Sequence, residues 1–482
     1  MVGAGEAAQP VEQPAAASLS ARRAFVNFLS LAGARLAGTL LEFFALVVVA
    51  RAWGPAAFGA IAFGRTAVNY FGILADPGLS MVGMRSVARS AAGPPNIGGV
   101  VILKAVLTGV SLCVMAAFAG WLAPRDVRPV VFGYLALLVP FGLSLEWLFK
   151  GLERMRLVAF VRIARGGAFL LATLAVVGLG AETPWVAIGE GISWWVAVGT
   201  LYWCARPSLM GDGGRFTLRG ARALLAGALP IGLSWFLTTA YQLSAVIFVG
   251  FLAGAEQAGF YGAAQRAAVF LHGFGVLLGE SLVAPFVRLS GDKSAQGRLA
   301  SAVASLTLVL MVPLAVSMTF DGATVAQVVY GGSFGPSGPI LALLMGQVLL
   351  ILLNIPLYVT LIARNQEGQY LRAIALGAVA SVVLNLALVP RFGAVGAGAA
   401  ALTSEAAVLI SLFVRSRSEL ALERSSSLVF VALLAAAGTA IVGVLGPGPS
   451  VWRALLGMGA GWLLGGFAVR RSIATLVSTH AS

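Results

Sequence analysis

Acid is scarce in this sequence: 18 Asp and Glu stand against 32 Lys and Arg in 482 residues. Charged residues of both signs make up only 10% of the chain, where a soluble globule carries about 25%. So little charge cannot cover a surface that faces water. Cysteine is nearly missing as well: Cys113 and Cys204 both fall inside apolar runs, which excludes a disulfide framework or a cysteine-built metal site. Long polar loops are missing too. The widest connections, about 205–222 and 287–298, are basic and too short to fold as a catalytic module. No Gly-rich phosphate loop, metal-ligand cluster or Ser–His–Asp set is visible. The chain is therefore expected not to be an enzyme and to hold no cofactor.

What fills the chain instead is apolar: 59% of residues are hydrophobic and the mean hydropathy is +0.94. A helix needs about 20 such residues to cross a bilayer, and within hydrocarbon only helices or closed barrels satisfy the backbone. The runs are too continuous for barrel strands, so an all-α polytopic membrane protein is expected. Predicted spans are 26–49, 58–80, 98–122, 129–149, 157–179, 184–204 and 227–252, then 259–286, 299–319, 338–362, 370–390, 395–414, 428–446 and 451–469. The region 321–337 also fits a short interfacial helix.

Cations fall in every second gap. With the N-terminus in the cytoplasm, 23 Lys and Arg lie in or beside cytoplasmic segments and five lie outside: Arg51, Arg125, Arg128, Arg391 and Arg453. Such a bias is the positive-inside pattern of an even number of crossings. Both termini are thus expected in the cytoplasm, with the chain in the cell (inner) membrane. The net charge of +14 does not point to nucleic acid, because the arginines are dispersed over short loops.

The two halves resemble each other. "VVVARAWGPAAFGAIAFGR", ending at Arg65, aligns with "IFVGFLAGAEQAGFYGAAQR", ending at Arg266; Gly54 meets Gly254 and Gly59 meets Gly259. Later, "LAVVGLGAETPWVAIGEGIS" is similar to "LALVPRFGAVGAGAAALTSE". Six spans followed by six in the same orientation make a parallel repeat about an axis along the membrane normal. The expected organisation is a disordered tail (1–23), a first lobe (24–204), a linker (205–222), a second lobe (223–416), two further spans within 427–470, and a tail (471–482). Gly457, Gly461 and Gly465 form a stripe expected to pack span 14 onto its own bundle.

Several motifs carry a family resemblance. "ARAWGPAAFGAIAFGR" followed by "ADPGLSMVGMRSVAR" resembles the opening helical pair of bacterial polysaccharide flippases, through Gly54, Pro55, Phe58, Gly59, Asp76, Gly78, Arg85 and Arg89. "EWLFKGLERMRLVAFVRIA", "GFYGAAQR" and "PRFGAVGAGAAALTSE" are similar to later turns of that family. The resemblance implies the multidrug/oligosaccharidyl-lipid/polysaccharide exporter fold, two six-helix lobes around a central cavity plus two C-terminal helices. It also implies movement of an undecaprenyl-diphosphate-linked oligosaccharide from the cytoplasmic to the periplasmic leaflet. Polysaccharide polymerase and export proteins are the expected partners. One departure concerns span 7, where "AYQLSAVIFVG" lacks the carboxylate that many members carry just after the Tyr.

Charged groups at bilayer depth need a cavity, a partner or a role. Arg35, Arg65 and Arg266 are the candidate diphosphate contacts, since arginine stays charged and offers paired donors to phosphate oxygens. Arg65 and Arg266 read as lying near the outer ends of their spans, where reaching for an interface is the alternative. Lys104 is expected to reach the cytoplasmic interface, and Asp76 to be a helix-end residue. Glu42, Glu190, Glu280 and Glu405 are the candidates for H+ or Na+ coupling; Glu42 also reads as a static counter-ion of Arg35. Trp147, Trp194, Trp195, Trp203 and Trp235 fit an interfacial belt better than sugar stacking. The competing functions are a cation-coupled multidrug extruder, a polytopic polymerase or ligase, and a transport-dead scaffold.

Overall fold

The structure, a computed structural model, describes the backbone of residues 14–89, 97–210, 217–416, 420, 426–446 and 451–478; side chains at 14–32, 34, 35, 89, 207–210, 238, 240, 241, 426–430 and 470–478 are not described. The outermost parts of both expected tails, 1–13 and 479–482, lie outside the described residues. Among the described residues all regular structure is helical. The first half holds α1 (Pro14–Ala75), α2 (Leu79–Arg89), α3 (Ile97–Ala117), α4 (Arg128–Gly133), α5 (Leu135–Gly142), α6 (Glu146–Gly151), α7 (Met155–Gly178) and α8 (Pro184–Met210). The second holds α9 (Leu218–Leu252), α10 (Gly254–Arg288), α11 (Lys293–Tyr330), α12 (Ser337–Ala363) and α13 (Glu367–Ser416), followed by α14 (Ser426–Leu445) and α15 (Val451–Ser478). Helices α1 and α13 each contain two crossings joined at a kink, at Gly54 and Gly393. Helices α4, α5 and α6 are one broken crossing, while α2 is a short helix between crossings. Among the described residues the helices therefore make fourteen crossings, arranged as two six-helix lobes and a C-terminal pair. No separate helix forms at 321–337: α11 runs on to Tyr330 and a short turn, Gly332–Phe334, leads into α12.

The internal repeat is written in the backbone. Gly54 (φ 76) and Gly254 (φ 86) turn the chain at matching places, as do Gly180 (φ 65) and Gly393 (φ 56). Such left-handed φ values come without steric cost only to glycine. The matching glycines also meet across the lobes. A Cβ on Gly59 would lie 1.8 Å from the Ala255 carbonyl oxygen, and one on Gly259 would lie 1.9 Å from that of Pro55. The contact is reciprocal between positions 200 apart in sequence, the mark of a two-fold relation between the lobes.

That contact closes one end of the molecule. There a single apolar core joins both lobes, with Phe58 and Phe63 from α1 packed among Phe260, Tyr330 and Phe334. The Phe58 ring lies 5.7 Å from Tyr330 and 5.8 Å from Phe334. At the opposite end the core divides in two, one part around Leu79, Leu148 and Phe149 that also takes in Ala221 and Ala228 of α9, the other around Phe286, Val359 and Leu361. A shared core at one end and divided cores at the other leave an internal space between. At the open end α9 leans on α2 and α3 of the first lobe, and a Cβ on Gly232 would lie 2.7 Å from the Pro77 carbonyl oxygen.

Helices α14 and α15 pack on each other and on α11. The Gly457–Gly465 stripe faces inward, as expected, since a Cβ on Gly461 would lie 2.2 Å from Thr439 Oγ1. Arg453 pairs with buried Asp321 of α11, its Nε donating to Oδ1 at 2.9 Å, and Trp462 Nε1 donates to the Leu310 carbonyl.

Candidate functional site

A cavity of about 590 Å³ opens within the first lobe toward its divided end. Its wall carries four cations, Lys104, Lys150, Arg162 and Arg165, against three carboxylates, Glu42, Asp76 and Glu146. Trp147, Trp194 and Trp235 complete it, the last supplied by α9 of the other lobe. Three of the five tryptophans assigned to an interfacial belt thus face this space instead.

The polar groups form three linked sets. At mid-depth, Arg65 reaches Glu42 at 2.9 Å and Glu190 at 3.0 Å. Tyr134 donates its hydroxyl to Glu190 at 3.0 Å. Arg165 holds the other oxygen of Glu42 and lays its guanidinium 4.4 Å from the centre of the Trp194 ring. Arg266 lies within electrostatic reach of Arg65, Glu42 and Glu190, yet makes no hydrogen bond or ion pair among the described residues. Three cations therefore meet two carboxylates here. The residual positive charge, in a region that water scarcely dilutes, favours an anion.

Both Arg65 and Arg266 sit deeper than the sequence reading placed them. Eleven residues separate Arg65 from the Gly54 kink and eleven more lead to Asp76, about 16 Å each way at 1.5 Å per residue. Neither end of the crossing is within snorkelling reach.

A second set joins Lys104, Asp76, Ser80 and Ser144. Lys104 is 2% exposed. Its ammonium donates to Ser80 Oγ at 2.8 Å and the Ser144 carbonyl at 3.1 Å, and pairs with Asp76 Oδ2 at 3.1 Å. The expected reach to the interface is therefore wrong: an ammonium with three partners inside the lobe has no need of headgroup water. Asp76 does end a helix, as expected, and its Oδ1 also accepts the Ser80 amide at 3.0 Å to cap α2. In the third set, Glu146 takes Arg162 at 2.7 Å and Lys150 at 3.1 Å.

The second lobe holds the remaining candidates. Glu405 is 3% exposed and accepts a hydrogen bond from Asn354. Glu280 is exposed, beside Tyr358. The four proposed coupling carboxylates thus divide, Glu42 and Glu190 meeting Arg65 in the first lobe and Glu280 and Glu405 lying in the second. The Arg35 side chain, and with it the expected Arg35–Glu42 pair, lies outside the described residues; among those, Glu42 is held by Arg65 and Arg165. Arg162 and Arg165 are not among the site residues expected from sequence, because they read as part of the basic stretch that follows span 4. Their spacing of three, on the apolar face that continues to Phe169, is the signal that places both on one side of α7.

The family described as "Polysaccharide biosynthesis protein" matches residues 25–287. Among solved structures, a lipid II flippase, MurJ, in an inward closed conformation superposes with a TM-score of 0.74 at 12% identity, covering 93% of this chain and 99% of that one. An inward-facing multidrug resistance MATE family transporter of the MOP superfamily gives a TM-score of 0.59 at 15% identity, covering 79% and 94%. A MOP superfamily transporter from Pyrococcus furiosus gives 0.52 at 16%, covering 83% and 96%. No curated protein matches the sequence. With more than half its length matched to one family, the chain belongs to the polysaccharide biosynthesis protein family, and it shares its fold with these solved transporters.

Proposed function

We propose that this protein flips an undecaprenyl-diphosphate-linked oligosaccharide from the cytoplasmic to the outer leaflet of the inner membrane, for surface polysaccharide. The observation that carries the reading is the cation-rich cavity of about 590 Å³ inside the first lobe. An anionic headgroup cannot enter hydrocarbon without fixed charges in place of its water. Arg162, Arg165, Lys104 and Lys150 line the cavity, and Arg65 and Arg266, together with Arg35, would take the diphosphate beyond them. The glycan occupies the wet cavity beside Trp194 and Trp235, and the prenyl tail stays in lipid. Arg65, Lys104, Lys150, Arg162 and Arg165 each arrive with a carboxylate partner, so at these cations phosphate oxygens enter by exchange rather than onto bare charge.

Rocking of the two lobes then parts the Gly59–Gly259 contact and exposes the cavity to the other side. Binding or release of H+ or Na+ at Glu42 or Glu190 would reset the arginines; Glu280 and Glu405 are the second-lobe candidates. Cations in the wall oppose the multidrug alternative, because a cationic drug would be repelled. A polysaccharide polymerase and export proteins act on the delivered lipid.

The test is complementation in cells lacking the native protein. Arg165→Ala and Arg162→Ala, at normal membrane abundance, should abolish surface polysaccharide. Full surface polysaccharide from both would overturn the reading and leave a scaffold role.

A further inference from the structure

Lys104 does more than stand on the cavity wall, for its partners belong to the hinge that shapes the bridge between the lobes. Helix α1 ends at Ala75, the chain turns through Asp76, Pro77 and Gly78, and α2 starts at Leu79. Gly78 holds φ 95. This turn is also where the lobes touch at their divided end: a Cβ on Gly78 would lie 2.7 Å from the Ala228 carbonyl oxygen of α9, and Gly232 presses on Pro77. One carboxylate ties the turn together. Asp76 accepts the Ser80 amide and hydroxyl, and its remaining interaction is with the Lys104 ammonium. All three ammonium donors of Lys104 are occupied, two of them by this turn and the third by the Ser144 carbonyl, in the break between α5 and α6. Both Lys104 and Asp76 line the cavity.

We infer that the Lys104–Asp76 pair is a positioning device that senses a phosphate group in the cavity and releases the α2–α9 bridge. It rests on the anion-binding reading of the cavity proposed above. A diphosphate carries more negative charge than Asp76 and is drawn by Lys150, Arg162 and Arg165 at the same time. Once its oxygens take Lys104, Asp76 loses its counter-ion and meets a like charge across the cavity. A buried carboxylate in that position is stabilised by moving out with the turn that carries it. The cap on α2 and the Gly78–Ala228 contact then loosen together.

The test is hydrogen exchange on the full-length protein in nanodiscs, with inorganic pyrophosphate as the probe and its binding followed by calorimetry. In the natural sequence, pyrophosphate should speed amide exchange across residues 79–89 about tenfold, through local opening, while α12 stays unchanged. In Asp76→Asn pyrophosphate should still bind, and in Lys104→Met, which removes one of its contacts, it should bind more weakly; at saturating pyrophosphate both should leave α2 exchange where each variant sets it. Asp76→Asn keeps an N-cap acceptor, so it reports even if Lys104→Met fails to fold. A merely structural pair would raise basal exchange and leave the pyrophosphate response intact, which overturns the inference. Binding without any α2 response in the natural sequence also overturns it, while the anion-binding reading stands. If pyrophosphate does not bind at all, both fall.

Discussion

Arg65 is held by two carboxylates from two different helices, Glu42 of α1 and Glu190 of α8. Removing one partner of a buried ion pair costs about 3–5 kcal/mol, because the other is left as an uncompensated charge. Arg65→Ala should therefore lower thermal stability in detergent and abolish transport. Adding Glu190→Gln should recover much of the stability but none of the transport. Transport restored along with stability would show Arg65 to be structural. Asp321, 1% exposed and tied to Arg453, offers the contrasting case. Arg453→Met should destabilise by a similar amount, read as a lower melting temperature, while Arg453→Met with Asp321→Asn should be nearly neutral for transport. At this scale the sequence was only partly legible. Intramembrane Arg65, Arg266, Glu42 and Glu190 stand out from composition alone, and the structure brings them together. Lys104 was misread because a lysine near a span end reaches water by default, and nothing local announces that Asp76, Ser80 and Ser144 fold around it.

Elements decide which end of the molecule is closed. Where the lobes share a core, side chains of one lobe serve helix ends of the other. Asp126 accepts the Ala255 amide in the first turn of α10 at 2.9 Å, and Arg51 donates to the Val328 and Val329 carbonyls in the last turn of α11. An acid on a helix start and a base on a helix end both match the helix dipole, at about 0.3–1 kcal/mol each. Together with the Gly59–Gly259 contact, these caps hold that end shut. Gly59→Ala should force the Ala255 backbone away and shift the population toward opening at this end. Distances between spin labels on α1 and α10 would then lengthen, and Asp126→Asn with Arg51→Ala should shift them the same way by less. Unchanged distances in Gly59→Ala would remove the contact from the gate. The glycine turns were legible in sequence because their φ values admit little else. The break of span 4 into α4, α5 and α6 was not, since residues such as Pro140 and Gly142 permit a break without fixing its place, and tertiary packing sets where the helix gives way.

For the whole molecule, fourteen apolar runs, a basic bias in alternate gaps and a two-hundred-residue echo are enough to specify two related lobes and a trailing pair. They do not specify which lobe bears the cavity. That depends on Arg162 and Arg165 of α7 meeting Glu146 and Glu42, the second of these contacts made between helices far apart in sequence. The central claim is that this cationic space carries an anionic lipid headgroup from one leaflet to the other while the two lobes tilt. Leaflet accessibility of the lipid-linked oligosaccharide, probed from outside in cells depleted of this protein, tests it most directly. The oligosaccharide should stay sealed on the cytoplasmic side, and reach the outer surface again when the natural chain is supplied but not when Arg65→Ala is. Normal appearance of the oligosaccharide outside in depleted cells would contradict the claim.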